Sequence, residues 1–130
     1  MEKAALIQAA AEALKGSYSP YSEFCVGAAL LCRDGKVFTG ANIENSSFSL
    51  TICAERSAFV AAVGAGEREF EAMAVVGGRR GVLSGFCPPC GACRQVMAEF
   101  CQPDFQILLF DGENEKSFTL GEMLPEAFGI

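Results

Sequence analysis

The feature that most constrains this chain is a pair of cysteine-bearing segments, Cys53-Ala54-Glu55 and Pro89-Cys90-Gly91-Ala92-Cys93-Arg94-Gln95, each at the start of a stretch of helical composition. Two cysteines separated by two residues on the first turn of a helix can point both sulfurs at one ion, and a third sulfur would come from Cys53 on the other helix. Helix N-termini carry partial positive charge, which lowers thiol pKa and helps hold thiolates. The fold is therefore required to bring together two helix starts that lie far apart in sequence.

The rest of the chain reads as elements able to do this. Lys3 to Lys15 places Leu6, Ala10, Ala13 and Leu14 on one helical face and stops at Gly16, Ser17 and Pro20. Cys25 to Leu31 is apolar and ends at Asp34-Gly35, a dipeptide suited to a tight turn, before Lys36 to Phe38 resumes as the second arm of an antiparallel hairpin. Ala41 to Ser49, rich in Asn and Ser, is expected as a loop, and Thr51 to Val63 as a helix ended by Gly64 and Gly66. Glu71 to Val76 is expected as a buried strand, Gly77 to Pro89 as a loop and Gly91 to Phe100 as a helix. Phe105 to Phe110 reads as a further strand, Lys116 to Phe118 as a short edge strand, and Leu120 to Leu124 as a last helical turn. This order predicts one domain, residues 1–130, with helices packed on the faces of a sheet.

Three protein ligands leave a tetrahedral ion one open position, which separates a catalytic site from a closed structural one. Glu55 follows Cys53 by two residues, so it leaves the same turn in a different direction and can reach a water at the open position without binding the metal. A thiolate-rich tetrahedral set favours zinc. The same cysteines are compatible with a structural zinc site or a redox pair. Cys87-Pro88-Pro89-Cys90 is also C-x-x-C, but its two prolines make a rigid extended link. Cys90 and Cys93 are thus the better pair, with Cys87 a loop thiol or an alternative ligand. Cys25, Cys32 and Cys101 lie in or beside apolar runs and read as packing residues.

The 130 residues carry a formal net charge of −6 and no run of Lys or Arg, with Arg79-Arg80 the only basic pair. That balance argues against a surface that tracks nucleic-acid phosphates and favours a small uncharged substrate. Met1 to Lys15 lacks the continuous apolar core of a signal peptide, and no stretch approaches the roughly 20 apolar residues of a membrane span, so a cytoplasmic protein is expected. Seven cysteines, an odd number, then read as thiols or metal ligands.

Together with Pro20-Tyr21-Ser22, Phe24-Cys25-Val26-Gly27-Ala28, Asn42-Ile43-Glu44-Asn45 and Arg56, these segments resemble the cytidine deaminase family. Its pattern is H-x-E followed by P-C-x-x-C, with the glutamate as proton shuttle. Cys53 stands where that pattern has histidine, which is similar to the three-cysteine branch of short homotetrameric enzymes. The resemblance implies an α/β/α sandwich around a mixed five-stranded sheet. It also implies one Zn2+ per subunit held by Cys53, Cys90 and Cys93, and hydrolysis of cytidine and deoxycytidine in pyrimidine salvage. Glu55 would protonate N3 and then the departing amino group, Phe24 would stack on the pyrimidine, and Asn42 with Glu44 would hold the ribose 3′-hydroxyl. The backbone at Ala54 would meet the base, and the Ser46 to Phe48 loop or Phe128 of one subunit would close a neighbour's site.

Three thiolates and one zinc sum to −1, so a compensating cation is expected, Arg56 first and Arg94 second. The rival functions are a deaminase of a modified cytosine nucleoside or cytosine-containing antibiotic, a polynucleotide editor, and a non-catalytic zinc-stabilised interaction module.

Overall fold

A computed structural model describes residues 1–130 and contains one five-stranded sheet of order β2-β1-β3-β4-β5. The elements in chain order are α1 (Lys3–Ala13), β1 (Phe24–Cys32), β2 (Val37–Ala41), α2 (Ala54–Gly64), β3 (Phe70–Arg79), α3 (Gly91–Phe100), β4 (Gln106–Phe110), β5 (Glu115–Thr119) and α4 (Leu120–Met123). β1 runs antiparallel to β2 and β3, β3 parallel to β4, and β4 antiparallel to β5, so the sheet is mixed. The β1–β2 connection is the expected hairpin, with Gly35 at φ +95 in the Asp34-Gly35 turn.

Alternation along the central strands divides the core into two layers. Ala29, Leu31, Ala72, Ala74, Val76 and Leu108 face α1, against Leu6, Ile7, Ala10 and Leu14. Ala28, Leu30, Met73, Val75, Ile107 and Leu109 face the opposite side, where α2, α3 and α4 pack. This is the three-layer sandwich. Phe59 of α2 stacks on Phe100 of α3 with ring centroids 5.8 Å apart and meets Phe70 edge-on at 5.2 Å. The two helices whose N-termini carry the cysteines are thereby registered against each other from within the core. Replacing such a buried aromatic with alanine costs about 3–5 kcal/mol.

Two local expectations are corrected. α2 begins at Ala54, not Thr51, because Ile52 stays extended and exchanges both backbone hydrogen bonds with Ile43 at 2.9 Å. β3 continues through Gly77 and Gly78, read as loop from sequence, because those residues pair with Val26 and Cys25 of β1. Gly40 explains how closely β2 meets α2: a Cβ there would stand 2.6 Å from the Ala58 backbone nitrogen. No helix is long and apolar enough to cross a membrane.

Candidate metal centre

Cys53 and Cys90 are the N-caps of α2 and α3, both in extended conformation, and Cys93 lies in the first turn of α3. The three sulfurs lie within 4.8 Å of one another, and those of Cys90 and Cys93 are 3.5 Å apart. Thiolates at about 2.3 Å from a tetrahedral zinc are about 3.8 Å from each other, so the cluster needs little adjustment to close on that ion. A hydrogen bond from Cys93 draws the Cys53 thiol down to about 5, with Arg56 assisting against burial, while the same shared proton and burial push Cys93 up. The cluster thus already favours a thiolate at Cys53, and metal binding would displace the remaining protons.

The donor set and its surroundings fit zinc. Arg56 Nη2 donates to the Cys53 sulfur at 3.3 Å and to the Thr51 carbonyl at 3.5 Å. Its Nε and the Thr51 hydroxyl are buried without a partner. Arg94, the second candidate for this duty, is corrected: its Nε donates to the Pro89 carbonyl and its Nη1 to the Met123 carbonyl, both at 2.7 Å. It fixes the backbone leading to Cys90 and ties it to α4, leaving the sulfurs to Arg56.

A second group able to hold a cation, Cys32, Asp34 and Glu67, is occupied otherwise. The Lys36 ammonium stands 3.8 Å from the Asp34 carboxylate and 3.6 Å from that of Glu67. Burial and the nearby Glu67 carboxylate push the Cys32 thiol up to about 11. That arrangement is an ion-pair network around a protonated thiol.

Glu55 is the second residue of α2 and only 5 % exposed. Burial raises its pKa above the ordinary carboxyl value, and the Cys53 charge adds to the rise. A carboxyl shifted in that direction exchanges protons nearer neutrality, as a general acid and base requires. It shares a cavity of ≈ 190 Å³ with Val26, Asn42, Cys53, Cys87 and Cys90. Ala54 and Thr51 also line it. Cys87 lies outside the three-sulfur cluster, and burial pushes its thiol up to about 11, unlike a ligand thiolate.

Phe24 is 40 % exposed at the start of β1. Its ring and the Cys87 side chain share the bare face of Gly77, where a Cβ would stand 3.0 Å from Phe24 Cε2 and 2.9 Å from the Cys87 sulfur. The extension of β3 through Gly77 therefore lets the Phe24 ring and the cavity-lining Cys87 side chain approach the same stretch of backbone.

Asn42 is buried and laces this region together: its Oδ1 accepts from the Val26 N–H at 2.9 Å and from the Ser17 hydroxyl, and its Nδ2 donates to the Phe24 carbonyl at 2.8 Å. One amide hydrogen remains. Glu44, 5 % exposed, accepts at Oε1 from the N–H groups of Tyr21 and Ser22, at 2.9 and 3.1 Å, and at Oε2 from the Ser22 hydroxyl. The Ser22 bond, with these N–H groups, holds its carboxyl below the ordinary value against the effect of burial.

The loop carrying Asn42 and Glu44 is pinned between Tyr18 and Ile52 by backbone bonds, which sets it beside the entry to Cys53. Sequence reasoning assigned no role to Ser22 or Thr51. Ser22 was marked in the sequence by its place in the Pro20-Tyr21-Ser22 segment and two residues before Phe24, the spacing at which a serine hydroxyl accepts a backbone N–H. Ser46, Phe48 and Phe128 lie exposed, Phe128 at 71 %.

Residues 1–109 match the family model described as the cytidine and deoxycytidylate deaminase zinc-binding region. The chain is 48 % identical over 129 residues to a cytidine deaminase of Halalkalibacterium halodurans, covering 98 % of this chain and 95 % of that one. It is 44 % identical over 121 residues to a cytidine deaminase of Mycobacterium tuberculosis, covering 93 % and 85 %. The crystal structure of a cytidine deaminase from Burkholderia pseudomallei superposes with a TM-score of 0.91 at 47 % identity, covering 98 % of this chain and all of that one.

Proposed function

The chain belongs to the cytidine and deoxycytidylate deaminase family, and from this we propose that it hydrolyses the 4-amino group of cytidine and deoxycytidine, with Glu55 as the proton shuttle. The observation that carries the reading is a buried carboxyl, two residues from Cys53, in a cavity that Cys53 and Cys90 also line. Cys53, Cys90 and Cys93 would hold zinc, which would supply the Lewis acidity that makes water a nucleophile near neutral pH. Glu55 takes one proton from the attacking water and delivers it to N3 as the oxygen joins C4. It then moves the second proton from that oxygen to the 4-amino nitrogen, which leaves as ammonia while the C4 carbonyl forms.

Around this centre, Phe24 offers its exposed ring to the pyrimidine, the Ala54 backbone meets the base, and Asn42 and Glu44 read the ribose 3′-hydroxyl with their remaining hydrogen-bond capacity. Arg56 withdraws electron density from the Cys53 sulfur, offsetting the excess negative charge of three thiolates.

Residues 1–130 act as one deaminase domain assembled as a homotetramer. The single-chain cavity is smaller than the roughly 300–1,000 Å³ common for ligand sites, which supports walls supplied by a neighbour through Ser46, Phe48 or Phe128. A cytoplasmic enzyme of pyrimidine salvage is the setting this chemistry suits. The test is ammonia release together with the ultraviolet change as cytidine becomes uridine. Bound zinc without turnover on cytidine or deoxycytidine would leave the interaction-module reading instead.

A further inference from the structure

The hydrogen bonds around Glu44 point to a residue with no assigned part in the reaction. Its two oxygens are held differently: Oε1 by two backbone N–H groups, and Oε2 by the Ser22 hydroxyl alone. The two oxygens turn together about the terminal carboxylate torsion, which is intrinsically broad, so two donors on one oxygen narrow that torsion and leave it a residual freedom. The Ser22 bond removes that freedom and presents the remaining acceptor capacity of Oε2 in one direction.

The same hydroxyl faces Phe24. Ser22 Oγ accepts the Phe24 backbone N–H at 3.0 Å, a contact made possible because Glu23, between them, takes the left-handed conformation at φ 60. That unfavourable turn is held from outside. The Glu23 N–H donates to the Ser19 carbonyl at 2.9 Å, and Arg80 donates to Glu23 twice, from its backbone nitrogen to the carbonyl at 2.7 Å and from its Nε to the carboxylate at 2.6 Å. A single hydroxyl thus links the carboxylate assigned to the sugar with the backbone of the ring assigned to the base.

We propose that Ser22 is a positioning residue for nucleoside recognition, its hydroxyl setting the orientation of Glu44 toward the sugar 3′-hydroxyl and its spacing from Phe24. The proposal rests on the ribose reading of Glu44 given above. A bond lost between a hydroxyl and a charged carboxylate is worth roughly a tenfold change in an equilibrium. It should appear only with a nucleoside that carries the group Glu44 reads.

The experiment compares steady-state constants of the zinc-loaded full chain on deoxycytidine and on 2′,3′-dideoxycytidine, which lacks the 3′-hydroxyl. Ser22→Ala is expected to lower kcat/KM for deoxycytidine roughly tenfold relative to dideoxycytidine, mostly through KM, and Ser22→Thr to recover most of that difference. Ser22→Cys, a weaker donor of similar size, is expected to fall between them and serves where the alanine variant folds poorly. Equal losses on both nucleosides, or a threonine variant as impaired as alanine, would overturn the proposal. Glu44→Gln is measured alongside: if it also treats the two nucleosides alike, the ribose reading itself is wrong and the proposal goes with it. If Glu44→Gln discriminates between them and Ser22→Ala does not, only the role of Ser22 is rejected.

Discussion

Arg56 Nη2 lies 3.3 Å from the Cys53 sulfur, and the same nitrogen reaches the Thr51 carbonyl at 3.5 Å, so one guanidinium braces both the cap of α2 and the extended segment that delivers it. Outer groups of this kind typically change metal affinity or activity by about 10–100-fold when removed. Arg56→Gln should fall in that range on cytidine turnover, and Arg56→Lys should recover part of the loss, because one ammonium nitrogen carries enough donors for both contacts made by Nη2. A glutamine variant with full zinc content and unchanged turnover would reduce Arg56 to a packing residue.

Glu55 lies outside the sulfur cluster and lines the cavity that Cys53 and Cys90 share. Glu55→Gln should therefore keep near-stoichiometric zinc while losing about 10²–10⁴-fold in turnover. Zinc by atomic absorption and ammonia release on the same sample decide the matter. Loss of metal in this variant would make Glu55 a ligand, and activity near that of the unsubstituted protein would remove the mechanism.

The three-sulfur cluster excludes Cys87, whose protonated thiol lines the cavity from above Gly77. Alanine at Cys53, Cys90 or Cys93 should release zinc, whereas Cys87→Ala should retain it. A Cys87→Ala protein that loses its metal, paired with a Cys93→Ala protein that keeps it, would reassign the ligand set.

The Glu44 carboxyl titrates below its ordinary value because the Ser22 hydroxyl, then the Ser22 and Tyr21 N–H groups, favour its charged form against burial. A folded-state pKa below the unfolded value contributes stability that is fully present above the unfolded value of about 4.3 and fades as pH falls through the lower folded one. Glu44→Gln cannot titrate at this position. The stability difference between the unsubstituted protein and this variant should therefore shrink on going from about pH 6 to about pH 3, followed by urea unfolding. A difference that stays constant over that range would show that the carboxylate is not favoured by its partners.

Much of this protein was legible from local chemistry. The Cys53-x-Glu55 and Cys90-x-x-Cys93 spacings, the Asp34-Gly35 turn, the bounds of α3 and the alternation of the central strands are properties of neighbouring residues, and they determined the ligand candidates and the layered fold. What the spacing left open was settled by partners distant in the chain. Ile52 is extended because Ile43 pairs with it, and Gly77 and Gly78 are strand because β1 lies alongside. Arg94 reaches the carbonyls of Pro89 and Met123, while Arg56 reaches a sulfur, although both follow a cysteine on a helix start by a few residues. Local propensity depends on the chain's own covalent geometry and is present before folding. Hydrogen-bond and ion pairings across the sheet depend on the register and approach of whole elements, and that register exists only once the Phe59–Phe100 contact and the strand ladders have brought α2 and α3 to the same end of the sheet.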